Sequence, residues 1–274
     1  MKMAKPGMIE QELAGIMEGI AVSGGYTPSF PIILTQNGEV MHGHSHQQVL
    51  AEGRLLLMDA GAELQSHYCS DFTRTIPVGG AFTGIGKDLY ELVLKANNHC
   101  IGMCAPGVSF KDVHLMAARI ITEGLKDIGL MKGDTEEAVA AGAHAAFFPT
   151  GLGHNMGLDV HDMEDLGEQY VGYDHTVARS PQFGLKSLRM ARVLEAGNVM
   201  TVEPGFYVIP TLLDMWKADG HNAAFINFEK CKALYGFGGI RIEDDVLITP
   251  RGHRLLGIRR LPVTAEEIRK VMQM

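Results

Sequence analysis

The spacing of hydrophobic positions changes twice along the chain. Up to about Thr83 they fall in short runs between Gly, Pro and Asn: Phe30 to Thr35, Glu39 to His46, Arg54 to Ala60 and Phe72 to Val78. Runs of this length between turn formers predict strands, and the last two predict an antiparallel hairpin. From Lys87 the spacing becomes helical, with Leu89, Leu92, Val93, Ala96 and Cys100 sharing a face until Pro106-Gly107 ends the segment. A second helix carries Val113, Met116, Ala117, Ile120 and Gly124 on one face, behind Ser109 and Asp112, which read as a capping box; Asp134 and Glu137 repeat that signal for a third. After Pro149 strand-like runs return at Gly151 to Asp162, Asn198 to Ile209 and Gly239 to Thr249. Two stretches, Glu164 to Ala191 and Leu212 to Phe237, show no period and read as insertions or lids. Strands, then helices, then strands predict an α+β fold in which helices cover a mostly antiparallel sheet, rather than an alternating βαβ arrangement. No Gly/Ser linker divides the chain, so one domain is expected over residues 1–274.

The 274 residues are 46% hydrophobic and 20% charged, which argues against a disordered or collagen-like chain and allows a large core. A formal charge of −8 leaves no cationic surplus for nucleic acid. Glu10, Glu12 and Glu18 interrupt any signal-peptide core, and no apolar run approaches the ~20 residues of a membrane span, so neither nucleic acid nor membrane is expected as a partner. Four cysteines without a CxxC pair read as reduced thiols in the cytoplasm.

Alternation within the strands concentrates carboxylates. In LLLMD, Asp59 shares a face with Leu55 and Leu57; across the hairpin Asp71, Thr73 and Thr75 share one. Glu203 alternates with Val199 and Thr201, and Glu243 with Arg241. An acid in an apolar run is costly to bury unless a cation compensates it, although each of these, taken singly, is also compatible with a turn or a structural salt bridge. In GLGHNMGLDVHD, His154 and His161 are an odd number of residues apart, so they line one pocket only if the strand breaks, and Gly157 allows the break. Four carboxylates and one imidazole suit two hard or borderline divalent ions, which can share a bridging hydroxide that attacks a carbonyl.

DAG, SDFTRT, GLGHNMGLDVHD, TVEPG and GIRIEDD, in that order, resemble the signature of the creatinase/methionine-aminopeptidase metallopeptidases, specifically the Xaa-Pro dipeptidase (prolidase) and Xaa-Pro aminopeptidase branch. The resemblance runs from about residue 27 to the C-terminus. It implies a pita-bread fold and two divalent cations, manganese by family usage, on Asp59, Asp71, His154, Glu203 and Glu243. It further implies substrate-binding histidines at His42 and His161, a network role for Arg241 beside Glu243, and proton transfer by Glu203. The alternation of His42, His44 and His46 is also compatible with an exposed metal-scavenging tract. SLRMAR and the long Ile209 to Phe237 stretch look like prolidase, placing Arg189 where that branch holds the free carboxylate of a dipeptide. The implied function is hydrolysis of the Xaa-Pro bond of small peptides in the cytoplasm by a homo-oligomer, commonly a dimer. The alternatives are an Xaa-Pro aminopeptidase on longer peptides, a catalytically silent binding relative, and a creatinase-like hydrolase. Three departures stand out: Thr150 where the family usually has a histidine, a separation of Asp59 from Asp71 one residue longer than expected, to be absorbed around Gln65 to His67, and an N-terminal domain and most of a first helix not represented.

Overall fold

The computed structural model describes residues 1–274. In chain order the strands are β1 (Thr27–Pro28), β2 (Ile33–Thr35), β3 (Leu55–Ala60), β4 (Ala62–Glu63), β5 (Phe72–Pro77), β6 (Val199–Val202), β7 (Gly205–Tyr207), β8 (Gly239–Arg241), β9 (Asp244–Thr249) and β10 (Gly252–Leu255). The helices are α1 (Glu10–Ser23), α2 (Gly84–Met103), α3 (Phe110–Ile128), α4 (Thr135–Ala140), α5 (Glu168–Val171), α6 (Pro210–Ala218), α7 (Phe228–Cys231) and α8 (Ala265–Met272). Every strand pair is antiparallel, in the orders β2-β3-β5, β7-β8, β10-β9-β6 and β1-β4. The expected hairpin forms with Asp59 opposite Thr73.

Side chains of β5 stitch the small sheets together. The Thr75 hydroxyl donates to Arg241 O (3.0 Å) and accepts from Arg241 N (3.1 Å), and Glu243 N donates to Thr73 O (3.1 Å). Helices α2 and α3 cover this surface through the predicted faces, of which Leu89, Val93, Ala96, Cys100, Val113 and Ala117 are fully buried, joined by Ile121 beside the α3 face. Within that apolar layer α2 carries one polar exception. Asn97 Nδ2 donates to Val202 O (2.8 Å) and Ile242 O (3.2 Å), the carbonyls immediately before Glu203 and Glu243. The cysteines are all free and three are buried, and no helix is long and apolar enough to cross a membrane.

Several expectations are corrected. Glu39 to His46 is not a strand: a 3-10 turn (Gly38–Val40) and Met41 at φ +62 break it, because Gly38 packs so tightly on Gly239 that a Cβ would lie 2.8 Å from its backbone. Gly151 to Asp162 forms no regular strand either. Residues 152–156 run extended beside β6, with Glu203 N donating to Leu152 O and Thr201 N to His154 O, and the chain then turns back at Gly157. Ser109 does not close a capping box; its hydroxyl donates to Ala191 O at 3.3 Å, a tertiary bond that outcompetes the local one. Asp134 does cap α4, accepting from Glu137 N. Helix α1 was not anticipated, since Leu13 and Ala14 are its only buried apolar residues. The aperiodic stretches contain the short helices α5, α6 and α7.

Under α3, His114 and His144 face each other with ring centroids 6.1 Å apart, and none of their four ring nitrogens has a protein hydrogen-bond partner. Burial pushes His114 down to about 3 and His144 to about 4, so both are neutral in the native state. In the unfolded chain they titrate near 6.5, so stability is fully present above that pH and is lost as pH falls toward 4 and 3. His114→Phe is expected to flatten the fall in unfolding free energy between pH 6 and 4.5 by about 1 kcal/mol per pH unit relative to the parent. Urea titrations at both pH values check this, and equal slopes in the two proteins refute it.

Candidate metal centre and substrate cavity

The five predicted ligands sit at ends and interruptions of strands rather than at their middles. Asp59 is the penultimate residue of β3 and Asp71 immediately precedes β5. Glu203 lies between β6 and β7, where Pro204 cannot donate to a ladder, and Glu243 lies between β8 and β9. At such positions the backbone turns away from regular pairing and a side chain can be aimed out of the pleat. His154 Nδ1 lies 3.0 Å from Asn155 O, so the tautomer that donates this bond leaves Nε2 a free lone pair directed at the carboxylates. Nε2 is 3.4 Å from Asp71 Oδ2 and 3.6 Å from Glu203 Oε1. Donor atoms of Asp71, His154 and Glu243 all lie within 4.8 Å of one another.

The cluster is electrostatically strained toward a cation. Burial, then the charges of Asp59, Glu203 and Asp245, push Asp71 well above the usual carboxylate range. Burial and the neighbouring acids do the same to Glu243; burial raises Glu203 in spite of His154 and Arg241. Asp59 Oδ1 and Asp71 Oδ1 are buried without a hydrogen-bond partner. Oxygen donors left bare, with one imidazole among them, fit hard or borderline divalent cations, and all five predicted residues converge where these could be held.

Arg241 supplies the fixed positive charge. It is buried, and donates to Asp59 Oδ2 (2.5 Å), Thr73 Oγ1 (3.0 Å) and the Tyr207 hydroxyl (2.9 Å). Burial opposes its charge, but Tyr207, Asp59, Glu243 and Glu203 outweigh this and hold it well above its ordinary range. The sequence pairs it with Glu243 through strand alternation; the fold instead pairs it directly with Asp59, and Thr73, whose hydroxyl donates to Glu243 Oε2 (2.5 Å), relays it to that ligand. Behind the cluster Arg74, also buried, donates to Glu243 O (2.7 Å) and Asp244 Oδ1 (2.6 Å), and Asp245 Oδ2 accepts from Asp71 N (3.2 Å). Arg74, Asn97 and Asp245 escaped the sequence reading. Their only signal was polarity inside a buried pattern, as in the second and third acids of EDD.

Above the carboxylates opens a cavity of about 570 Å³ whose walls include His42, Thr150, His161, Phe183 and Arg189. The turn at Met41 brings His42 into this lining. Asp162 N donating to Asn155 O (3.1 Å) closes the loop that returns His161 onto His154, with ring centroids 4.3 Å apart, as the break at Gly157 predicted. Burial and then the neighbouring His154, Arg189 and His42 push the His161 imidazole down, and burial followed by Arg241 lowers His42, so both favour the neutral form. The Thr150 hydroxyl has no partner. Between Asp59 and Asp71 the chain reverses in the turn bridged by Glu63 and Cys69, where His67 adopts φ +65.

A cation that relieves these crowded carboxylates stabilises the native state. Manganese at about a hundred times its dissociation constant is expected to raise the midpoint of the parent by about 5 °C or more over chelator-treated protein, and Glu243→Gln and His154→Ala to lose most of that rise. Calorimetric melts with and without manganese decide it; an equal rise in all three proteins would place the cation elsewhere.

Residues 1–250 match the model of metallopeptidase family M24. The human Xaa-Pro dipeptidase is 40% identical over 99% of this chain and 55% of its own. Solved structures of aminopeptidase P from Escherichia coli and of aminopeptidase PepP from Pseudomonas aeruginosa superpose with a TM-score of 0.78 at 33% identity, each over 99% of this chain and 54% of theirs. The chain thus spans about half the length of these relatives, and the pita-bread architecture expected from its motifs is the one it shares with them. Matched over most of its length by the family model and aligned almost end to end with a 40% identical relative, this chain belongs to metallopeptidase family M24.

Proposed function

We propose that this protein hydrolyses the bond between an N-terminal residue and proline in small peptides, with dipeptides as the leading substrates. The observation that carries this reading is the convergence of Asp59, Asp71, His154, Glu203 and Glu243 at the cavity where His42, His161 and Arg189 also meet. When bound there by the five side chains, two divalent cations, which we take to be manganese, supply positive charge for the scissile carbonyl and an acidified water.

This chain's own residues do the rest. His42 and His161, held neutral, can donate hydrogen bonds to the substrate carbonyl and to the oxygen on which charge develops. Glu203, its carboxyl raised by burial, is suited to take a proton and return it to the leaving proline nitrogen, which carries no hydrogen in the imide. Phe183 and Ile33 give the wall an apolar surface for the ring. The guanidinium of Arg189 can pair with the terminal carboxylate of a dipeptide, which in a longer peptide lies one residue or more further away. Free cysteines support a cytoplasmic setting, and the resemblance supports a dimer. A second reading, an Xaa-Pro aminopeptidase on longer peptides, is favoured by one observation: Arg189 already bonds Glu164 and Glu168.

With manganese-loaded protein, proline release from Ala-Pro is expected to exceed alanine release from Ala-Pro-Ala, and Arg189→Gln to lower that ratio about tenfold through KM. Tripeptide turnover that is faster and indifferent to Arg189 would select the second reading. Glu203→Gln is expected to cost about a hundredfold or more in kcat on either substrate, and a kcat within a few-fold of the parent's would remove Glu203 from the proton step.

A further inference from the structure

The segment after His161 serves neither the cation cluster nor the proton step. Met163 at φ +59 and Gly167 at φ +110 fold it into a 3-10 turn (Glu164–Leu166) followed by α5. This fold delivers two acids to one corner of Arg189: Nη1 donates to Glu164 Oε2 and to Glu168 Oε1 (3.1 Å). Glu168 Oε2 pairs in turn with Arg179 Nη2 (2.7 Å), and Glu164 Oε2 lies 3.6 Å from His161 Nδ1. Nε and Nη2 of Arg189 make no protein hydrogen bond, and the group lines the cavity with about a third of its surface open, so an edge remains for a ligand.

The charges decide what that edge can do. Two arginines and two glutamates cancel, so a carboxylate reaching Arg189 meets a cluster with no net charge, whereas Arg189 alone would present a full cation. We infer that Glu164 and Glu168 set the peptide-length specificity of this chain by cancelling the charge of Arg189. Carboxylate-ended dipeptides then keep only part of the advantage over peptides without a carboxylate at that place that an uncompensated Arg189 would give them. The inference rests on the proposed reading of Arg189 as the group facing the C-terminal side of the substrate.

Glutamine at either position still offers Nη1 a carbonyl oxygen but removes the charge, so Glu164→Gln, Glu168→Gln and the double variant isolate electrostatics from positioning. The probes are Ala-Pro and Ala-Pro-amide, which are the same size and differ in the terminal charge. Each charge removed about 6 Å from the carboxylate is expected to raise the ratio of kcat/KM for dipeptide over amide about tenfold, mostly in KM. An unchanged or lowered ratio in the glutamine variants, with Arg189→Gln lowering it, overturns the inference and leaves the reading of Arg189 standing. A ratio that ignores Arg189→Gln overturns both. Thermal melts of each single variant show whether it folds, and two independent single variants keep the comparison intact if the double one does not.

Discussion

Everything in this structure is arranged around a surplus of buried negative charge. Asp59, Asp71, Glu203 and Glu243 are drawn to one place with Asp244 and Asp245 just behind, and the buried permanent cations nearby are Arg241 and Arg74. In a medium of low dielectric such a set is tolerated only if every oxygen is hydrogen-bonded, neutralised or given to a cation. The fold uses all three. Asp244 is shared between Arg74 and Arg260, Asp245 accepts from the Asp71 backbone through Oδ2 alone, and Asp59 Oδ1, Asp71 Oδ1 and Asp245 Oδ1 are left bare. Binding capacity is what remains after the rest of the charge has been settled internally.

The same constraint explains the helical cover. A layer of Leu, Val and Ala on α2 and α3 excludes water from the back of the sheet and thereby raises the strength of each polar contact inside it. Asn97 in that layer gives both of its amide hydrogens to two carbonyls that emerge at the strand interruptions. One side chain from a helix thus fixes the two β breaks that aim Glu203 and Glu243.

Much of this was legible in the sequence where a residue breaks its local pattern. An acid closing LLLMD and an acid wedged between valine and proline in TVEPG are expensive wherever they are buried, so their chemistry shows before any contact is known. The hairpin between β3 and β5, α2, α3 and the reversal at Gly157 were legible for the same reason: periodicity and turn chemistry act within a few residues. What escaped depends on partners distant in the chain. Ser109 finds Ala191, Arg241 finds Asp59, and Arg189 finds Glu164 and Glu168, and no local rule chooses those over nearer candidates. Gly38 is similar, since it is the opposing Gly239 that turns a β-like run into a 3-10 turn.

The placement of ligands at strand interruptions has a consequence for how such a centre can diverge between proteins. A donor in the middle of a ladder is bound to its register, and one inserted residue would swing it to the opposite face. A donor at a break is held by its own anchors, as Glu243 is by Thr73 and Arg74, while the connecting chain is free to lengthen. The turn before Asp71 is built this way: it reverses through His67 outside the ladder, while Asp71 is held independently by its own bond to Asp245. Order along the chain, rather than spacing, is therefore the durable trace of the centre, and loops between donors can drift in length while the cluster they connect stays in place.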